Sequence, residues 1–188
     1  MRRFDPSQFL QKLEPTRNIL CLTRLPNGKA GGGSLGFAVS DPFLSLARPL
    51  QREQVFSLGD RPLSAALKRI RYEQDIGGVV LGRAISGMPL LPGSENSGDS
   101  EQMQIEVFGI VRSIKEFETL PCTFSEESSN KVEIERELQE NLLWDSLELA
   151  KEQLHGEGDP ATMMHTHSAL SLQLWLDEHC GGWQNTFG

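Results

Sequence analysis

The sequence predicts an α/β protein: a mixed sheet of five strands, three in an antiparallel meander and two parallel, with helices on both faces. Three observations point there. An early run of short apolar alternations, broken by Gly, Asp and Pro, reads as a meander. Amphipathic helical stretches then alternate with short apolar runs, the pattern of right-handed βαβ crossovers. The chain has 188 residues, 38% hydrophobic and 23% charged, enough for one domain with a buried sheet.

Residues 1–17 set Phe4, Phe9, Leu10 and Leu13 among polar residues and read as an N-terminal extension, a short helix laid against the domain. Residues 18–23 (NILCLT) form the first strand. Residues 25–33 (LPNGKAGGG) are punctuation, because Asn27-Gly28 favours a hairpin turn and three glycines follow. Leu35, Phe37 and Val39 then alternate with Gly36, Ala38 and Ser40, all small, so one face can bury while a neighbour packs close on the other. Asp41-Pro42 breaks that strand. A second alternation, Phe43, Leu44, Leu46 and Ala47, is closed by Pro49 and predicts the third strand across a tight turn.

Asp60 as cap and Pro62 in the first turn open a helix in which Leu63, Ala66, Leu67 and Ile70 share one face. Residues 76–82 (IGGVVLG), bounded by glycines, predict a buried parallel strand. Residues 83–100 make a Gly/Ser/Pro loop of a length that is often functional. Met103, Val107, Ile110, Val111 and Ile114 give a second helix, and 120–124 a short strand. Residues 125–130 are an acidic turn, and 131–154 one or two helices around Leu138, Leu142 and Leu149. The last helix, 161–179, buries Leu170, Leu174 and Trp175 before the 181–188 tail, so the domain proper covers 18–180. No internal repeat is present.

The chain has no run of eighteen apolar residues, so no membrane span is expected. Met1-Arg2-Arg3 precedes no long apolar segment, and a secretory signal is not expected either. Cys21, Cys122 and Cys180 are odd in number, far apart and without CxxC spacing, which predicts reduced thiols. The expected location is intracellular: cytoplasmic, or organellar (plastid or mitochondrion) in a eukaryote. The net charge of −8 is uneven. Residues 1–94 hold 13 Lys/Arg against 7 Asp/Glu, and residues 95–188 hold 5 against 19. A polyanion could approach only the first half, and the acidic second half would suit a basic protein partner. Solvated faces that differ in sign account for the same numbers.

The segment LGFAVSDP (35–42), followed by ARPL (47–50), resembles the IGVAVSDP…AxPL segment of the YqgF-type family. These are Holliday-junction-resolvase-like proteins and pre-ribosomal-RNA nucleases with a ribonuclease H-like fold. Further pieces follow in family order. GGVVLG (77–82) resembles the fourth strand, Gly87-Met88-Pro89-Leu90…Gly93-Ser94 the GLPL…DGS loop, and Leu120-Pro121 the opening of the fifth strand. Val132-Glu133-Ile134-Glu135 resembles VEAE, and residues 168–177 (SALSLQLWLD) the closing AAxxILQxYLD.

The resemblance implies a site in which carboxylates from separate strands hold two Mg²⁺ ions that activate water and stabilise the leaving oxygen. Carried over residue by residue, the first-strand acid falls on Thr23, with Arg24 beside it. The acidic pair falls on Glu126 and Glu127, and the last-helix acid on Met164 or His165, with Asp159 about one turn earlier. The basic residue of the family's RIG motif is replaced by Gly33-Ser34. With Thr23 and Met164 or His165 substituted, weak Mg²⁺ binding and impaired cleavage are expected.

Smaller motifs have plainer readings. His165-x-His167 suggests a metal pair, but residues two apart on a helix diverge, so loop or cap histidines are expected. The run 27–34 (NGKAGGGS) lacks the GxxxxGK[ST] order and reads as a hairpin. Asp41 serves equally as a metal ligand or as a turn-forming residue before proline. The acids of 133–140 read as a solvated helix face.

Three readings result. The first is a scaffold that binds structured RNA or branched DNA in ribosomal-RNA maturation through Arg61, Lys68, Arg69, Arg71 and Arg83. The second is an active nuclease with a rearranged site of Asp41, Glu126, Glu127 and Asp159. The third is a protein-interaction subunit with a basic partner.

Overall fold

Residues 18–26 are apolar on both sides of an extended chain: Ile19 and Cys21 point one way, Leu20 and Leu22 the other, and all four are buried. A strand buried on both faces belongs in the middle of a sheet, and there it lies in the computed structural model, which describes residues 1–26, 33–50, 56–57, 60–83, 100–125 and 160–180.

Strand β1 is Arg2–Arg3, β2 Asn18–Pro26, β3 Gly33–Ser40, β4 Ala47–Pro49, β5 Phe56–Ser57, β6 Ile76–Gly82 and β7 Pro121–Phe124. The sheet runs β1-β7-β6-β2-β3-β4, with β5 also paired to β3. The β2-β3 and β3-β4 pairs are antiparallel, while β2-β6, β6-β7 and β1-β7 are parallel. The expected neighbours of the first strand, Leu35–Val39 on one side and 76–81 on the other, are those found.

Among the described residues four helices cover the sheet: α1 (Pro6–Lys12), α2 (Arg61–Glu73), α3 (Ser100–Ser113) and α4 (Pro160–His179). On one face, Leu63, Leu67 and Ile70 of α2 and Val107 and Val111 of α3 pack on Leu20, Leu22, Phe37, Val79 and Leu81. On the other, Phe9 of α1 and Ala169, Leu172 and Trp175 of α4 pack on Ile19, Cys21, Ala38 and Val80. Each fully buried Leu or Ile contributes about 1.5–3 kcal/mol, so both faces are needed.

Several expectations are corrected. Among the described residues the sheet has seven strands, where five were expected. Residues 1–17 are built into it: β1 extends the edge beside β7, the Phe4 N–H bonds the Cys122 carbonyl, and Met1 and Phe9 are buried. The first strand does not stop at Thr23. Leu25 pairs with Ser34 and is buried, so punctuation begins later than the composition suggested. The third strand is only Ala47–Pro49. Phe43 and Leu46 lie in a turn and are exposed, because the Asp41 carboxylate captures the Ser45 and Leu46 N–H groups at 2.7 and 3.2 Å and the Ser45 hydroxyl at 2.7 Å. Leu44 sits at φ 56°, outside any strand geometry. Asp60 occupies the N-cap position of α2 without a side-chain cap bond.

The hairpin at 27–32, the loop at 84–99, the segment 126–159 with its acidic turn and helices, and the 181–188 tail lie outside the described residues. No described helix is long and apolar enough to cross a membrane.

Candidate functional site

The carboxyl ends of β2, β6 and β7 meet α4 at a group of small polar side chains. Thr23 is fully buried, and Ser125 and Ser171 nearly so. The Cys21 thiol lies 3.8 Å from the Thr23 hydroxyl, and the Ser125 and Ser171 hydroxyls are 3.5 Å apart. Ser125 Oγ accepts the Arg83 backbone N–H at 3.1 Å. Gln104 closes the group from α3: its Nε2 donates to the carbonyls of Leu81 (2.6 Å) and Ser125 (3.0 Å), and its Oε1 accepts from Arg83 Nε at 3.3 Å. Such a bonded network, neutral but for the Arg83 guanidinium at its edge, can hold three strands and two helices in register.

Two glycines let α4 come down onto this point. A Cβ on Gly36 would stand 2.1 Å from the Met164 carbonyl oxygen and 2.5 Å from Ser168 Oγ. One on Gly82 would stand 2.3 Å from Thr23 Oγ1 and 2.7 Å from Ser171 Oγ. Gly36 and Gly82 are the register partners of Thr23 on either side, so the helix backbone seals the end of the central strand.

These residues do not fit Mg²⁺. It wants several anionic oxygens and keeps part of its water shell, whereas the site offers neutral hydroxyls packed against a helix. Among the described residues no three His, Cys, Asp or Glu gather to hold an ion. Cys21 is no nucleophile: burial, only partly offset by its bonds to Thr23, Gly82 and Ser171, pushes its thiol up to about 12.

The other candidate residues are dispersed. Glu126, Glu127 and Asp159 lie outside the described residues. Asp41 is at the far end of β3, five residues from Gly36 and hence on the order of 16 Å along the strand from the Thr23 pair. Both of its oxygens are spent in the 41–46 turn, so the structure gives it the turn role. Arg24 points to the opposite face, where it pairs with Glu106 of α3, and adds no charge beside Thr23.

His165 and His167 are not loop or cap residues. Both lie inside α4 and are fully buried. His165 Nδ1 accepts the Phe37 N–H at 3.0 Å. That N–H faces the gap between β5, which pairs Ser34 and Leu35, and β4, which pairs Ala38 to Ser40. Among the described residues no strand pairs there, and the imidazole takes that N–H instead. Met164 is buried over Gly36.

The basic residues form no single patch. Lys68 pairs with Glu116 at 3.0 Å, and Arg71 lies 5.8 Å over the Phe117 ring near the amino end of β6. Arg69 is exposed on the same helix, whose first residue is Arg61. Arg83 follows the carboxyl end of β6, about 20 Å away along the strand. There it lines a cleft of about 660 Å³ with Arg3, Glu101, Gln104, Ser125 and Asp5. The Arg3 guanidinium stacks 4.0 Å over the Phe124 ring.

Sequence reasoning missed Gln104, Ser125, Ser171 and Arg3. A signal existed for the first: Gln104 precedes Val107 and Val111 by three and seven, on the buried face of α3. Ser171 shares the apolar face of α4 with Ser168, three positions back. Arg3 gave none, because β1 is two residues long. Comparison with known proteins adds no identity: the chain matches no protein-family model and no curated protein.

Proposed function

We propose that the chain is a non-cleaving protein of YqgF-like, ribonuclease H-like type that binds structured RNA in ribosomal-RNA maturation. One observation carries the reading. Strand β2 lies between antiparallel β3 and parallel β6, the arrangement the resemblance implies, while Thr23 within it carries a sealed hydroxyl group where that family has an acid. The cleft beside that point presents Arg3 and Arg83 and is the natural place for a phosphate backbone.

The test is fluorescence anisotropy with an RNA hairpin and a four-way DNA junction across a salt series. RNA binding should weaken steeply with salt, and Arg3→Glu or Arg83→Glu should reduce it and flatten the salt slope. Charge reversal at Lys68 or Arg71 should do less, because neither lines the cleft. Mg²⁺-dependent cleavage stopped by Glu126→Gln or Glu127→Gln would overturn the reading and favour the active nuclease. Calorimetry should find no tight Mg²⁺ site in the unmodified chain.

A further inference from the structure

The cleft at the carboxyl end of β7 carries charges of both signs. Arg3 and Arg83 flank β7, and Asp5 and Glu101 line the same cleft of about 660 Å³. The two guanidiniums suit a phosphate, but a sugar-phosphate backbone alone would set the two carboxylates against like charge. A ligand matched to the whole cleft brings hydrogen-bond donors as well as anionic oxygens. A nucleotide brings both, N–H groups on its base and oxygens on its phosphate.

A platform for the base is built around Arg3. Its guanidinium lies 4.0 Å over the Phe124 ring. That ring is buried and held edge-on by Phe108, with 5.9 Å between centroids and 67° between planes. Arg3 itself is exposed, a flat cation fixed on one side and accessible on the other. Bases of single-stranded RNA stack on such guanidinium planes.

Two residues on, Asp5 stands where it can read the edge of that base. Arg3 pairs with Cys122, the Phe4 N–H bonds the Cys122 carbonyl at 2.8 Å, and Asp5 is extended at φ −66° and ψ 161°. In an extended chain Arg3 and Asp5 fall on one side, about 7 Å apart, a span that a purine covers. Phe4 between them packs with the core of the α1 and α4 face. Asp5 Oδ1 accepts the Gln8 N–H at 2.8 Å, which fixes the carboxylate as the cap of α1 and leaves acceptor capacity on both oxygens.

We propose that this cleft holds one unpaired guanine of an RNA loop, with its base stacked on Arg3, its Watson–Crick edge donating to Asp5 and its phosphate at Arg83. The inference rests on the RNA-binding reading above and adds the base to it. Guanine fits because its N1–H and exocyclic amino group are adjacent donors, and a carboxylate only accepts. Adenine and cytosine set a ring-nitrogen acceptor beside the amino group, and uracil sets its N–H between two carbonyls. Each would turn a lone pair towards Asp5.

The test is fluorescence anisotropy with RNA hairpins whose loops are all uracil except at one position, which carries guanine, adenine, cytosine, uracil or hypoxanthine. The guanine hairpin should bind about tenfold tighter than the all-uracil one. Hypoxanthine, which lacks the exocyclic amino group, should fall between them. Asp5→Asn keeps a good helix cap but exchanges one acceptor for a donor, so the preference should pass from guanine to adenine or cytosine. The ratio between bases is the readout, because removing a negative charge strengthens every hairpin alike. Arg3→Lys keeps the charge but loses the plane, and should weaken the guanine hairpin about fivefold. Hairpins that bind equally well whatever the loop base, or a guanine preference that survives Asp5→Asn, overturn the inference and leave RNA binding standing. Failure of every hairpin to bind overturns RNA binding and the inference with it. Guanosine monophosphate that displaces the guanine hairpin at matching concentration overturns the RNA loop as the source and assigns the cleft to a free nucleotide.

Discussion

The two ends of strand β3 were built by opposite rules. At Gly36 a helix backbone presses onto the sheet, and the polar atoms around it are small, neutral and bonded to one another. At Asp41 a charged side chain folds the chain away from the sheet and leaves Phe43 in solvent. The family resemblance puts chemistry at the first end, yet that end is shut. The second end, which reads in sequence as an ordinary strand, is the one that faces outward. Closure of the first follows from side-chain size: Gly36, Gly82, Ser168 and Ser171 leave room for α4 and for nothing else.

The comparison breaks most directly at Gly36. Gly36→Ala places a Cβ against the Met164 carbonyl, a backbone atom that cannot rotate away. The helix must lift, and the expected cost is about 3 kcal/mol or more, seen as a fall in Tm on the order of 6–12 °C. Gly109 is the control, because a Cβ there meets nothing within 4 Å. Gly109→Ala on α3 should leave Tm unchanged or raise it slightly. Equal behaviour of the two variants would mean that α4 does not seat on the sheet as described.

A smaller loss is expected at Gln104. Gln104→Leu keeps the volume but removes the donors to the Leu81 and Ser125 carbonyls and the acceptor for Arg83 Nε. Leu81 keeps its bond from the Ser125 N–H, so the acceptor that loses its bond is the Ser125 carbonyl. About 2 kcal/mol should be lost, measured by urea unfolding. Unchanged stability would show that the network at the closed end contributes nothing.

The sheet was legible because its signal is periodic. β2, β3 and β6 alternate or run apolar over seven residues or more, long enough for pattern to outweigh accident. The two added strands are two residues each, too short to have a period, and only tertiary contacts define them. Phe43-Leu44-Ser45-Leu46 failed for another reason. Its apolar alternation is real, but one carboxylate accepting three local hydrogen bonds outweighs it, and that competition is invisible to periodicity. At the site, the resemblance puts an acid at the position of Thr23, but nothing in the sequence tells what packs around that residue. Gly82 and Ser171, the residues that close around Thr23, lie far from it in the chain, and no local pattern links them to it.

The Asp41 turn titrates, and the sign is fixed by its bonds. Partial burial raises the carboxyl pKa, but the Ser45 hydroxyl and the Ser45 and Leu46 N–H groups outweigh that, and the folded value lies below 3.8. A lowered folded pKa means the unfolded chain binds the proton more readily in acid. The contribution is therefore complete above about pH 4–5 and disappears as pH falls through the folded-state value. Asp41→Ala should cost about 1 kcal/mol at pH 7. Once the pH has fallen through the folded-state value, its stability should approach that of the unmodified chain. A difference independent of pH would assign the loss to packing instead of the charge.

The smallest effect is expected at Phe43, and its smallness is informative. A side chain that is 88% exposed gains almost nothing on folding, since its apolar area meets water in both states. Phe43→Ser should shift stability by no more than about 0.5 kcal/mol, within the range of ordinary surface substitutions. The turn should persist, because its bonds run through Asp41, Ser45 and Gln173 and none uses the phenyl ring. Paired with Gly36→Ala, the variant gives the sharpest form of the contrast: one added methyl at the closed end unsettles the domain, while a whole ring removed at the open end does not. A drop of several degrees in Tm for Phe43→Ser would show that the ring is covered in the free protein.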